Sequence, residues 1–236
     1  MMLSQIDVAI LCGGMGTRLR SSVGNSQKAM AKVGERPFLN IILEHLKRQG
    51  FSRVVLCTGY QAGQVEDYYR KENFGLTLEF SREEEPLGTG GAIKKARAAL
   101  HTSPFVVLNG DSFCPVDYAA LVKFHQRENA LGTVVVSRQK DRKDFGAILL
   151  DTRKRIQAFQ EKVAGKAGLV NAGIYCLGQG MFSLMPKGIH FSLEKDFFPT
   201  LPQLVPNDFC GFVVEEKFWD IGTPERLLEA QKNFGK

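Results

Sequence analysis

The chain has 236 residues, 44% hydrophobic and 24% charged, with a net charge of +6: enough length to bury a sizeable core, in ordinary globular proportions. No apolar run approaches the roughly eighteen residues of a membrane span, and the opening Met-Met-Leu-Ser-Gln-Ile-Asp lacks the basic and apolar regions of a signal peptide. The basic residues are spread out, broken by aspartates in their densest runs and free of interleaved aromatics, which argues against nucleic acid as a partner.

In chain order, residues 6–12 read as a buried strand that breaks into Gly13, Gly14 and Gly16. A helix is expected over 38–49, closed by Gly50, then a strand at 53–58, a helix at 61–70 and a strand at 76–80. An alanine-rich helix over 90–100 leads to an apolar strand at 104–108, which ends at Asn109-Gly110-Asp111. Four βα repeats in the first 110 residues imply a parallel, doubly wound sheet whose ligands lie at the carboxyl ends of its strands. The second half changes to a helix at 117–129 and shorter strands at 133–137, 146–150, 156–159 and 173–177, with a polar hairpin turn at 151–155. A helix over 192–201 capped by Ser192, a strand at 209–214 and a terminal helix over 223–234 with Pro224 in its first turn complete the chain. The expected fold is α/β: a single Rossmann-like domain, residues 1–236, with a mixed, mainly parallel central sheet flanked by helices. Within it, 1–112 forms a nucleotide half and 113–236 a substrate half. Five cysteines at 12, 57, 114, 176 and 210 form no C-x-x-C pair, which favours free thiols in a reducing cytoplasm over a zinc site.

The glycine-rich break is the chemically informative segment. Glycines let a phosphate approach backbone N–H groups without a Cβ in the way, and Arg18 and Lys28 bring positive charge to the same strand end. It is not a Walker A loop, because Thr17-Arg18 follows Gly16 in place of Lys-Ser/Thr. Nor is it a dinucleotide fingerprint, because Leu19 stands where the third glycine belongs. Asp111 follows a buried strand, where a carboxylate suits either Mg²⁺ or the cap of the next helix. Asp220 lies in Phe-Trp-Asp-Ile-Gly-Thr-Pro; Thr223 already caps the helix, which leaves Asp220 free for a second metal contact. The acidic run 83–85 is either a base-edge acceptor or a solvated loop.

Taken in order, G-G-x-G-T-R-L at 13–19, K-A-M at 28–30, P-L-G-T-G-G-A at 86–92, N-G-D at 109–111, E-K at 161–162, N-A-G-I-Y at 171–175 and W-D-I-G-T-P at 219–224 resemble the sugar-1-phosphate nucleotidyltransferases. Within that family the chain looks most like the short guanylyltransferases for D-glycero-α-D-manno-heptose 1-phosphate, with the mannose 1-phosphate enzymes next and UTP-dependent relatives further alternatives. One departure is Gln27, where the family usually has proline before the lysine; this puts the rigidity of that loop in question.

The resemblance implies a Mg²⁺-dependent joining of a nucleoside triphosphate, GTP favoured, to a sugar 1-phosphate with release of pyrophosphate. It assigns catalytic roles to Arg18, Lys28, Asp111, Lys162 and Asp220, with Mg²⁺ on Asp111 and Asp220. Leu11, Gly13, Gly14, Gly16, Thr17, Glu83 and Gly88 would meet the nucleotide, and Gly146, Glu161 and Asn171 the sugar. It leaves homodimer formation open, and places the work in nucleotide-sugar biosynthesis for a surface polysaccharide.

Overall fold

Val8 and Ile10 face one side of the first strand and Ala9 the other, and all three are fully buried. A strand this apolar has to lie between two layers. In the computed structural model, which describes residues 1–14, 16, 19, 27–139, 147–160 and 167–235, it does.

The strands are β1 (Val8–Leu11), β2 (Lys32–Val33), β3 (Arg36–Pro37), β4 (Arg53–Thr58), β5 (Thr77–Arg82), β6 (Phe105–Asn109), β7 (Ser112–Phe113), β8 (Gly132–Gln139), β9 (Ala147–Leu150), β10 (Ile156–Gln160), β11 (Gly168–Leu177), β12 (Phe209–Val214) and β13 (Trp219–Asp220). The helices are α1 (Phe38–Gln49), α2 (Ala62–Tyr69), α3 (Gly88–Ala96), α4 (Tyr118–Arg127), α5 (Met181–Leu184), α6 (Leu201–Leu204) and α7 (Pro224–Phe234).

Among the described residues the central sheet has nine strands, in the order β10-β9-β11-β6-β1-β4-β5, with β8 also on β11 and carrying β12. β1 pairs parallel to β4 and β6, β4 to β5, and β8 to β12. β11 runs against β6, β8 and β9. The expected mixed, mainly parallel α/β domain is the fold observed. α1, α2, α4 and α7 bury Leu39, Val65, Leu121 and Leu227 in the core on one face. α3, α5 and α6 bury Ile93, Met181 and Leu201 on the other.

Three local differences have physical reasons. β11 begins at Gly168, well before the expected 173, because its first half finds partners in β8 and β9 as well as in β6 further on. α3 starts at Gly88 and gives way to a 3₁₀ turn at Arg97–Ala99. The expected 192–201 helix is instead a π turn at Leu193–Phe197, a 3₁₀ turn at Phe198–Thr200 and the short α6. Pro199 and Pro202 supply no N–H, so a regular i→i−4 ladder cannot run through them. Ser192 caps the π turn as expected, its side chain accepting from the Lys195 N–H.

Candidate active site

The carboxyl ends of the parallel strands β1 and β6 open into a cavity of about 260 Å³, lined by Leu11, Gly13, Gly14, Lys28, Glu83, Gly88 and Asp111 among others. Gly13 is needed here for space: a Cβ on it would stand 2.8 Å from Glu83 Oε1 and 3.2 Å from the Gly59 nitrogen. Gly88 is needed for its backbone, with φ at +74° and the Phe191 carbonyl 2.5 Å from where a Cβ would lie. Gly16, also at positive φ, packs against the stem of Lys28. Glu83 is held at its backbone by Thr58 and accepts a 3.3 Å hydrogen bond from the Leu87 N–H. Burial raises its pKa above the ordinary carboxylate value, against the pull of Leu87 and Lys95. A half-buried acceptor of this kind is improved by further N–H donors from a ligand.

Lys28 stands in a 3₁₀ turn at Lys28–Met30 and donates to Asp111. Ser112 Oγ donates to the other Asp111 oxygen at 3.0 Å. Burial works to raise the Asp111 pKa, but the Lys28 ammonium and its hydrogen bond outweigh it and hold the carboxyl below its ordinary value. Gln27 fixes the lysine's base. Its side chain is buried; the amide nitrogen donates to the Cys12 carbonyl, and the amide oxygen accepts from the Ala29 N–H at 2.5 Å. This stitches the lysine turn to the end of β1, by bonding rather than by a proline ring.

Asp220 reaches the same place by a separate route. β13 pairs antiparallel with β7, setting Asp220 opposite Ser112, and the Ile221 N–H donates to the Asp111 carbonyl at 3.0 Å. Asp220 accepts from the Gly222 N–H at 2.8 Å and from Arg226 Nη1 on both oxygens, at 3.0 and 2.9 Å. The helix-cap alternative for Asp111 falls away, because Asp117 caps α4 through the Ala120 N–H at 3.0 Å. Thr223 caps α7 as expected. Cys114 is buried and its thiol is pushed up to about 12 by burial, which suits a packing role.

Two adjacent carboxylates are hard donors of the kind Mg²⁺ takes, one or two at a time, beside phosphate oxygens and water. Among the described residues there is no cluster of three or more His, Cys, Asp or Glu side chains able to hold a metal. The donor set therefore fits a cation that shares its coordination with a phosphate-bearing ligand.

Asn171 is not part of the cavity lining; it donates to the Tyr175 hydroxyl at 2.9 Å and accepts from the Gly173 N–H at 2.8 Å. Tyr175 in turn donates to Glu194 at 2.9 Å, and Thr89 and Ser192 donate to the other Glu194 oxygen at 2.5 and 2.9 Å. Glu194 thus ties the nucleotide-side segment 88–92 to β11. Asn109 is part of the cavity lining, and its buried Oδ1 has no hydrogen-bond partner among the described residues. Sequence reasoning missed Glu194 and Arg226; the available signals were a carboxylate two residues past a capping serine, and a cation in the first turn after Thr-Pro. Thr17, Arg18, Gly146, Glu161 and Lys162 lie outside the described residues.

Residues 8–236 match the family model described as nucleotidyl transferase. The D-glycero-alpha-D-manno-heptose 1-phosphate guanylyltransferase of Aneurinibacillus thermoaerophilus is 36% identical over 228 residues, covering 96% of this chain and 97% of that protein. The mannose-1-phosphate guanylyltransferase of Mycobacterium tuberculosis is 33% identical over 95% of this chain but only 63% of its own length. Among solved structures, HddC from Yersinia pseudotuberculosis complexed with GMP-PN superimposes with a TM-score of 0.86 at 33% identity, covering 98% of this chain and all of that one.

Proposed function

The chain belongs to the nucleotidyl transferase family, and from that premise we propose that it joins GTP to D-glycero-α-D-manno-heptose 1-phosphate, giving GDP-heptose and pyrophosphate. The observation that carries the sugar is the end-to-end match to a heptose 1-phosphate guanylyltransferase, 96% of one chain on 97% of the other. Guanine is supported by Glu83, whose raised pKa and half-buried acceptor oxygens suit the N1–H and exocyclic amine of that base.

The chemistry needs no catalytic base. A phosphate monoester has its second pKa near 6, so the attacking oxygen is largely ionised at neutral pH. The reaction then depends on bringing two polyanions into line and stabilising charge on the α-phosphate and the leaving pyrophosphate. Lys28, fixed by Gln27, stands where it can follow charge onto the α-phosphate once it leaves Asp111. The amides of Gly13 and Gly14 and the side chain of Arg18 hold the outer phosphates. Asp111 and Asp220 hold the Mg²⁺ ion. When bound, Mg²⁺ supplies Lewis-acid stabilisation of the phosphate oxygens. Lys162 neutralises the sugar phosphate, while Glu161, the Gly146 backbone and Asn171 meet sugar hydroxyls. Residues 1–112 serve the nucleotide and 113–236 the sugar phosphate. Five free, buried cysteines support a reducing, cytoplasmic setting, in which the product feeds surface-polysaccharide synthesis.

The test is pyrophosphate release in a grid of four nucleoside triphosphates against heptose 1-phosphate and mannose 1-phosphate. GTP with the heptose substrate is expected to give the highest kcat/KM. A preference for mannose 1-phosphate, the reading favoured by the 33% identity to its guanylyltransferase, overturns the sugar assignment and leaves the reaction standing. A silent grid overturns the reaction itself.

A further inference from the structure

Each carboxylate of the pair already carries a side-chain cation: Lys28 on Asp111, and Arg226 on Asp220. Arg226 spends one nitrogen on both Asp220 oxygens, so neither oxygen is left without a cation against it. The two cationic groups also crowd one spot. A Cβ on Gly222 would lie 3.7 Å from Lys28 Nζ and 3.8 Å from Arg226 Nη1. Among the described residues, each carboxylate is therefore matched by a cation before any ion arrives. A bare divalent cation entering it would meet two positive side chains at short range and would have to displace both.

A nucleoside triphosphate changes that balance. Its phosphate oxygens are stronger partners for an ammonium and a guanidinium than a shared carboxylate is, and they arrive with several negative charges. Lys28 and Arg226 can then transfer from carboxylate to phosphate, and the four carboxylate oxygens become available together. Arg226 is placed for this by its position rather than by its own bonding needs. It lies in the first turn of α7, two residues after Pro224 and six residues from the aspartate it covers.

We propose that Arg226 is a positioning residue that guards the metal carboxylates: it holds Asp220 in the empty site and keeps free divalent cation out, so that cation is taken up together with the nucleotide. The inference rests on Asp111 and Asp220 being the metal pair of the proposed function. It differs from a purely structural role for Arg226 in the sign of its effect. Removing a structural ion pair loosens the site, whereas removing a guard tightens the binding of the free ion.

The experiment is titration of the full chain, without nucleotide, with Mn²⁺ as probe, following the free-ion signal by electron paramagnetic resonance. Arg226→Gln and Arg226→Met, two neutral variants of which either suffices if the other folds poorly, should bind Mn²⁺ at least about tenfold more tightly than wild type, as expected for one released charge close to the ion. Arg226→Lys, which keeps the charge, should stay within about threefold of wild type. Adding Asp220→Asn to Arg226→Gln should abolish the gain. Mn²⁺ binding by folded neutral variants no tighter than wild type overturns the proposal, and so does a gain that survives in the double variant. These readings do not depend on turnover: a protein that behaves as expected with Mn²⁺ but releases no pyrophosphate keeps the guard and loses the proposed reaction.

Discussion

Strand β1 has a charged network at each end, and the two are completed differently. Before its first residue stands Asp7, buried, with one carboxylate oxygen taking Arg53 at 2.6 Å and the other taking the backbone N–H groups of His101 and Thr102 at 2.6 and 3.1 Å. Beyond its last residue lie Asp111 and Asp220, whose cationic partners are the ends of flexible side chains beside an open cavity. Both ends pair carboxylates with counter-charges. At the amino end, backbone donors make the arrangement permanent, and the network is a latch. At the carboxyl end, ammonium and guanidinium partners can exchange a carboxylate for a phosphate, and the network is the proposed site.

The contrast can be broken most forcefully at the site. Lys28→Ala and Asp111→Asn should each reduce turnover at least about a hundredfold, the usual cost of losing an electrostatic group that acts in the transition state, a far larger effect than the loss of one ion pair has on stability. Pyrophosphate release at a wild-type rate in either variant would move the site elsewhere. Asp7→Ala should do the reverse, costing about 2 kcal/mol of stability by stranding two N–H groups and taking one of Arg53's two carboxylate partners, with kcat per folded molecule unchanged. Urea unfolding read beside activity separates the two; a kcat loss matching that of Asp111→Asn would erase the distinction between latch and site.

Gln27→Ala should fall between them. The lysine turn loses two hydrogen bonds, so we expect about tenfold in kcat from a misplaced Lys28 and about 1 kcal/mol of stability. Restoration of kcat by Gln27→Pro would mark the role as one of rigidity. The smallest effect is on acid stability. The Asp111 pKa is lowered in the folded chain, so its pairing stabilises the fold above the ordinary carboxylate value of 3.8 and loses that contribution as pH falls through the lowered folded value. Asp111→Asn should therefore flatten the stability profile only on that acid limb, as followed by urea midpoints between pH 5 and the acid transition.

What the sequence made legible follows the same division. The apolar run of β1, the glycine break and the Asn-Gly-Asp and Trp-Asp-Ile-Gly-Thr-Pro segments are local patterns, and they located the cavity, both aspartates and Lys28. The pairing of β7 with β13 left no such trace, because two-residue strands have too little periodicity to read. Arg226 and Glu194 were missed for a related reason. Each looks like an ordinary surface charge until tertiary contacts set it against Asp220 or Tyr175. Gln27 looked like a weakness in the loop, and only the positions of Cys12 and Ala29 turn it into a brace. The 192–201 segment misled through its capping serine and apolar spacing, whose helical promise two prolines cancel.

The short ladder of β7 and β13 also sets a timetable. A ribosome delivers Asp111 and all of β1, β4 and β6 well before it delivers Asp220 on β13. The early half of the chain can form its parallel strands and glycine turn while the partner of β7 is still unsynthesised. Until then Asp111 has Lys28 for company but no second carboxylate. Synthesis of β13 thus becomes a checkpoint: a chain that stops short of it can have the hollow beside β1 and still lack the pair of acids proposed to let it consume nucleotide.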